Sequence, residues 1–237
     1  MICFSRKDIE QIAERVLCRY RQLPELQGIS ITKIDPVLLA EKVMHLKLDF
    51  VHLSLSGRIL GLTCYDETGV EVYDETDGNY IYWLDGNTIL VERDLQNDIS
   101  LSGRCNFSIA HETSHQIFGK LYPKEYGAPL NRRIYCYTAV TGENRPFSWE
   151  EWQANTLASA LMMPEKILRA NMQMFGLGNR IGVLNSRYCQ DVYTRFYLLA
   201  EYMGVSKQAL AIRMKQLGLL DREYLNRAKD MLNIIKD

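Results

Sequence analysis

Residues 107–118, FSIAHETSHQIF, decide how this chain is read. Helical spacing places Phe107, His111, Ser114, His115 and Phe118 on one side of a helix. Two histidines four residues apart share a helix face, so both imidazoles can reach one metal ion. Glu112 projects about 100° round the helix, where it can hold a water on that ion. Histidines inside an apolar stripe need a partner, because an unsatisfied buried polar group is costly. The five-residue pattern H-E-x-x-H is weak by itself, and its surroundings have to support it.

Support comes from SWEEWQANTLASALMMP, residues 148–164. Its periodicity predicts a helix over about 149–162, with Pro164 just beyond. Glu151, Ala154, Asn155, Ala158 and Met162 fall on one face, which reads as the buried one. That face starts with a carboxylate and carries no Lys or Arg to pair it, an arrangement that metal binding would relieve. Glu151 is therefore the candidate third ligand, and Glu150, pointing about 100° away, is its rival. Asn155, one turn on, is expected to accept the N–H of a ligating histidine. Ala154 and Ala158 are small enough for two helices to approach closely. Three protein ligands with one open position describe a catalytic zinc site, whereas a structural site takes four.

Upstream, residues 6–22 place Ile9, Ile12, Ala13, Val16 and Leu17 at helical spacing, and a second helix is predicted over 36–46, with Asp35 as N-cap and Pro36 in the first position. KLDFVHLSL, ILGLTCY, GVEVYDE, YIYWLD and NTILVERDL, all between 47 and 95, read as a meander of strands. Residues 61–100 hold ten acidic residues and one basic residue, Arg93. That charge reads as a solvated sheet face, or as a surface for a basic partner. Residues 121–148 are polar and broken by prolines, with RRIYCYTAV as a possible strand.

From about 188 three helices are expected, including LLAEYMGVSKQAL, which resembles a helix-turn-helix. Residues 201–237 carry seven basic and five acidic residues, a weak balance for DNA contact, so partner recognition or packing is expected there. Glycines cluster in 171–182, which suggests units of 1–172 and 173–237.

The 237 residues are 47% hydrophobic and 24% charged, with a formal net charge of −1. A disordered chain is excluded, and a general binder of nucleic acid or membrane surface is disfavoured. No apolar run reaches the roughly 18 residues needed to span a bilayer. The N-terminus shows no basic-then-apolar signal pattern, and the six cysteines form no C-x-x-C pair, so a cytoplasmic protein with reduced cysteines is expected. Cys105 reads as core. For Cys136, within Tyr-Cys-Tyr, an approach to the site as a redox-sensitive inhibitor is kept as the lesser alternative.

IAHETSH, followed by E-x-x-A-N and LMMP, resembles the ImmA/IrrE family of metallo-endopeptidases, whose pattern is close to hAHExxH…E-x-x-A-N-x-h-A-x-x-L-h-h-P. The likeness covers about 55–220. It implies an α+β, zincin-like domain with a small twisted sheet against the active helix, followed by a helical C-terminal subdomain. It implies His111, His115 and Glu151 as ligands of one divalent metal, zinc or manganese, with Glu112 as catalytic base. Members are linked to mobile genetic elements and stress responses and cleave helix-turn-helix repressors, so the implied partner is such a protein. Neither a membrane nor direct nucleic-acid binding is expected. Tyr122, Tyr135 and Tyr137 are candidate donors to the oxyanion, and NTILVERDL is the candidate strand for pairing with an extended substrate. A different class stays open: a metal-stabilised module that sequesters a repressor or toxin without cutting it.

Overall fold

The computed structural model describes residues 2–74, 78–126, 132–137 and 148–225. By compactness the chain divides into Met1–Ser30 with Asp35–Met162, and Ile31–Ile34 with Met163–Asp237. The division after Met162 precedes the position near 172 suggested by the glycines. The helix across 172 belongs with the second unit, where Asn171 donates to the Thr32 carbonyl and Leu168 and Met172 are buried.

The first unit opens with α1 (Arg6–Tyr20). Ser5 and Asp8 form a reciprocal capping box, and Ile9, Ile12, Ala13, Val16 and Leu17 are buried as their spacing requires. The segment expected as a helix over 36–46 starts as foreseen: Asp35 accepts from the N–H groups of Val37 and Leu38, and Pro36 occupies the first position. It continues as a wider π turn over Leu39–Val43.

The strands are β1 (Lys47–Val51), β2 (Ile59–Cys64), β3 (Glu67–Asp74), β4 (Gly78–Asp85), β5 (Thr88–Glu92) and β6 (Arg133–Tyr137). They do not form the expected meander. One sheet runs in the order β1-β5-β2-β6, with β1 and β5 parallel and the other pairs antiparallel, while β3 and β4 form a separate hairpin. The reason is burial: all five residues of β5 are buried, a pattern that belongs at the centre of a sheet. This position also overturns the assignment of NTILVERDL as the strand that receives a substrate, because both of its edges are occupied. The edge next to the site belongs to β6, in the RRIYCYTAV segment, whose far side pairs with no strand among the described residues.

Two long helices of this unit position the site: α2 (Ser102–Leu121) and α3 (Trp149–Met162). Leu60, Ile89 and Val91 on one sheet face pack with Cys105 and Ile109 of α2. On the other face Val51, Leu62, Cys64 and Leu90 pack with Val70, Val72 and Leu84 of the hairpin.

The second unit holds α4 (Glu165–Met174), β7 (Ile181–Leu184), α5 (Gln190–Met203), α6 (Lys207–Gln216) and β8 (Leu220–Glu223). Gly204, at φ 66°, closes α5 in the left-handed region, and Ser206 caps α6 by accepting from the Ala209 N–H. Arg213 is buried and donates to the Met163 carbonyl. Where a third helix was expected, Leu220–Glu223 is instead a strand parallel to β7. The rest of that expected helix, from 226, lies outside the described residues.

Candidate metal centre

The site is built where α2, α3 and the β2–β6 pair meet. Helix α2 is buried without a break from Ser108 to Gly119, more than three of its turns. Thr113 and Ser114 satisfy their hydroxyls on the carbonyls of Ile109 and Ala110. The Gln116 amide donates to Thr63 Oγ1 and to the Cys64 carbonyl, each at 2.7 Å, and so ties the helix to β2. Tyr65 donates to the His115 carbonyl at 3.2 Å. The absence of a side chain at Gly119 admits the Tyr65 ring, since a Cβ there would lie 2.3 Å from Tyr65 Cε1.

His111 and His115 project from one face, with ring centroids 4.7 Å apart and Nε2 atoms 3.1 Å apart. Glu151 of α3 meets both: Oε2 is 3.2 Å from His111 Nε2, and Oε1 is 3.2 Å from His115 Nε2. Ligand atoms about 2.0–2.1 Å from a tetrahedral zinc stand about 3.3 Å apart. Two imidazoles and a carboxylate at these separations therefore fit one such ion. The Nδ1 atoms of both histidines are buried with no hydrogen-bond partner among the described residues.

Electrostatics follow from this convergence. Burial raises the Glu151 carboxyl, but the hydrogen bonds of His111 and His115 outweigh it and hold the group well below the usual carboxylate range. Burial lowers His115. At His111 burial acts in the same direction, yet Cys136 and Glu151 overcome it and raise this ring well above its ordinary value. Glu112 is fully buried, and neither carboxylate oxygen has a hydrogen-bond partner among the described residues. Burial pushes its carboxyl up to about 8, with His111 opposing and Glu151 adding to the rise. A carboxylate held out of water near neutrality is suited to accept and return a proton.

Several expectations are corrected here. Of the α3 face expected to be buried, Ala154, Ala158 and Met162 are fully buried, but its two polar members at the start of the helix are not. Glu150 is 1% exposed and Asn155 is exposed, while Glu151 is partly exposed at the rim, aimed at the histidines. Asn155 does not accept a histidine N–H; its amide donates to the Glu151 carbonyl one turn back at 2.8 Å, the local bond that a short polar side chain finds within a helix. Glu150 turns away from the metal cluster and pairs with Arg132.

None of the three candidate tyrosines is brought to Glu112. Tyr135 packs with the hairpin-side cluster, Tyr137 lies against Tyr135, and Tyr122 lies tilted against Phe4 just past the end of α2. His52 engages Glu92 at 2.9 Å.

Sequence reasoning missed Gly61. A Cβ at this position would lie 2.5 Å from Glu112 Oε1 and 2.8 Å from its Cγ, so the bare backbone of β2 forms the wall that Glu112 rests on. The signal was present as a glycine inside a strand, which marks a close approach or a bulge, and the ladder does shift between Ile59 and Gly61.

Residues 97–215 match the family model described as the IrrE N-terminal-like domain, a peptidase family. A comparison with curated proteins finds no match.

Proposed function

The chain belongs to the IrrE N-terminal-like family of peptidases, and from that premise we propose that it is a zinc-dependent endopeptidase whose substrate is a helix-turn-helix repressor. One observation carries the reading: the two Nε2 atoms and the Glu151 carboxylate converge within 3.2 Å beside a buried, unpartnered Glu112. His111, His115 and Glu151 would hold the metal, which supplies Lewis-acid activation of a water and of the scissile carbonyl when bound. Glu112 takes the proton of the attacking water and returns it to the leaving amine. Gly61 fixes where that carboxylate stands. The edge of β6 that pairs with no strand among the described residues offers backbone groups for an extended segment of substrate beside the site.

The repressor and a cytoplasmic setting are suggested by the family resemblance in IAHETSH and E-x-x-A-N. No helix among the described residues is long and apolar enough to cross a membrane.

The test is to co-express the protein with a helix-turn-helix repressor encoded beside its gene and to measure the repressor's intact mass. Two fragments with wild type, and none with Glu112→Gln, are expected. Fragments with both proteins would overturn the role of Glu112. An intact repressor with both would favour sequestration without cleavage.

A further inference from the structure

Apart from the metal cluster, the first unit holds a cavity of about 610 Å³ between α1, the π turn over Leu39–Val43 and the end of α2. That volume lies in the range of sites for small organic molecules. Its floor is apolar: Ile12 and Val16 of α1, Val43 of the π turn and Ile117 of α2 are all buried. Its rim is cationic. Arg15 and Arg19 stand one turn apart on the side of α1 that carries Ile12, and Lys120 of α2 adds a third positive charge. Among the described residues no acidic side chain lines the cavity. Asp85, whose field reaches Lys120, stands outside the lining.

Two observations set this rim apart from ordinary surface charge. Arg21, on the same helix, pairs with Glu14 at 2.8 Å, whereas Arg15 and Arg19 have no carboxylate partner among the described residues. Like charges one turn apart repel, and an anion placed between them relieves that repulsion. The second observation concerns the backbone at the mouth. Among the described residues His45 is the one non-glycine at positive φ, 55°, a conformation that persists where its surroundings fix it. The Leu46 N–H donates to the Ala40 carbonyl, and the Lys120 ammonium to the Met44 carbonyl, each at 2.9 Å. The lysine that charges the rim thus also fixes its wall.

We propose that this cavity binds an amphipathic organic anion, with its apolar body on the floor of Val16, Val43 and Ile117 and its carboxylate or phosphate among Arg15, Arg19 and Lys120. Guanidinium forks match either head group in two-point contact, and the floor removes the body from water. His111, Glu112, His115 and Glu151 do not line the cavity, so the site stands whether or not the peptidase reading does.

The test is calorimetric titration of the full chain with octanoate and with octyl phosphate, below the concentrations at which they form micelles. Octanol and inorganic phosphate serve as probes of each half. At least one of the two amphipathic anions is expected to bind once per chain. Octanol should bind about 10–100-fold more weakly, the scale of charge-assisted hydrogen bonds, and inorganic phosphate more weakly still. Arg15→Gln combined with Arg19→Gln changes two exposed side chains, so the melting temperature should hold. The anion should weaken by a similar factor in this variant, with octanol unchanged. Lys166→Gln combined with Arg169→Gln removes the same charge from the exposed surface of the second unit and should alter neither. Octanol binding as tightly as the anions, or an anion affinity that the arginine variant leaves intact, would overturn the proposal. So would many weak sites in place of one. Failure of both anions to bind would overturn it too, including the case in which phosphatidylglycerol vesicles capture the chain instead, which would assign the rim to a membrane surface.

Discussion

The two faces of the four-stranded sheet are made by neighbouring residues of the same strands, yet they differ in character. Towards the hairpin, Leu62 and Leu90 meet Val70, Val72 and Leu84 in an apolar layer. Towards α2, Leu60, Ile89 and Val91 pack with Cys105 and Ile109 in an apolar layer too, but beside it Gly61, Thr63 and Cys136 approach Glu112, Gln116 and His111. There Glu112 and the histidine Nδ1 atoms lack partners among the described residues despite full burial. The first face lowers the free energy by removing apolar surface from water. The second face keeps costly polar groups unsatisfied, which a sequence sustains only where a ligand or a reaction uses them. Apolar packing is thus present on both sides of one layer of backbone, whereas the candidate chemistry lies on one, and substitutions on the hairpin side should spare it.

The largest effect is expected at Glu112. Glu112→Gln should lower kcat/KM by a factor of about 10²–10⁴, the usual contribution of a positioned acid–base group, while metal content stays at one per chain. Retained turnover would erase the distinction between the faces. Gly61→Ala should act through Glu112, because the new methyl must displace that carboxylate. A loss of about 10²-fold is the scale for a misplacement near 1 Å, with the melting temperature changing far less than the rate.

Leu84→Ala is the opposite probe. Leu84 is 1% exposed in the hairpin-side cluster, and its truncation should cost about 2–5 kcal/mol, measured by denaturant unfolding. Turnover per folded molecule should be unchanged. A loss of turnover as large as that of Gly61→Ala would show that the two faces are not independent.

The smallest effect is a pH dependence in protein stripped of metal by chelation. The carboxyl of Glu112 is raised from 4.5 to about 8 by burial. The folded state therefore keeps a proton that the unfolded state releases, and the stability that this group confers is full below about pH 4.5 and is lost as pH rises through about 8. Glu112→Gln should be the more stable protein above pH 8, and its advantage should shrink as pH falls from about 8 to about 4.5 and stay constant below that. Parallel curves for the two proteins would show that this carboxyl is not held in its neutral form.

Much of the site was legible in the sequence. The period of 3.6 residues brings His111 and His115 together without reference to any other element, and the lone carboxylate of Glu151 followed from the composition of its helix face. Asn155 was misjudged because α3 is buried on most of its circumference: Gln153, Ala154, Leu157, Ala158 and Leu161 are all buried, so no single stripe marked its inner side. Strand order was misjudged because periodicity gives the face of a residue and not its neighbour. The apolar run Ile89–Val91 signals a central strand, but only pairing shows that it lies between β1 and β2. The placement of Cys136 opposite Gly61 depends on register across some 75 residues of chain, which no local pattern encodes.

The most direct test of the central claim is the zinc content of purified wild type, Glu112→Gln, His115→Ala and Glu151→Ala after dialysis against a weak chelator. The account predicts one zinc per chain in the first two proteins and its loss in the last two, all four remaining folded. Stoichiometric zinc retained by both ligand variants would contradict it, because the ion would then lie somewhere other than between α2 and α3.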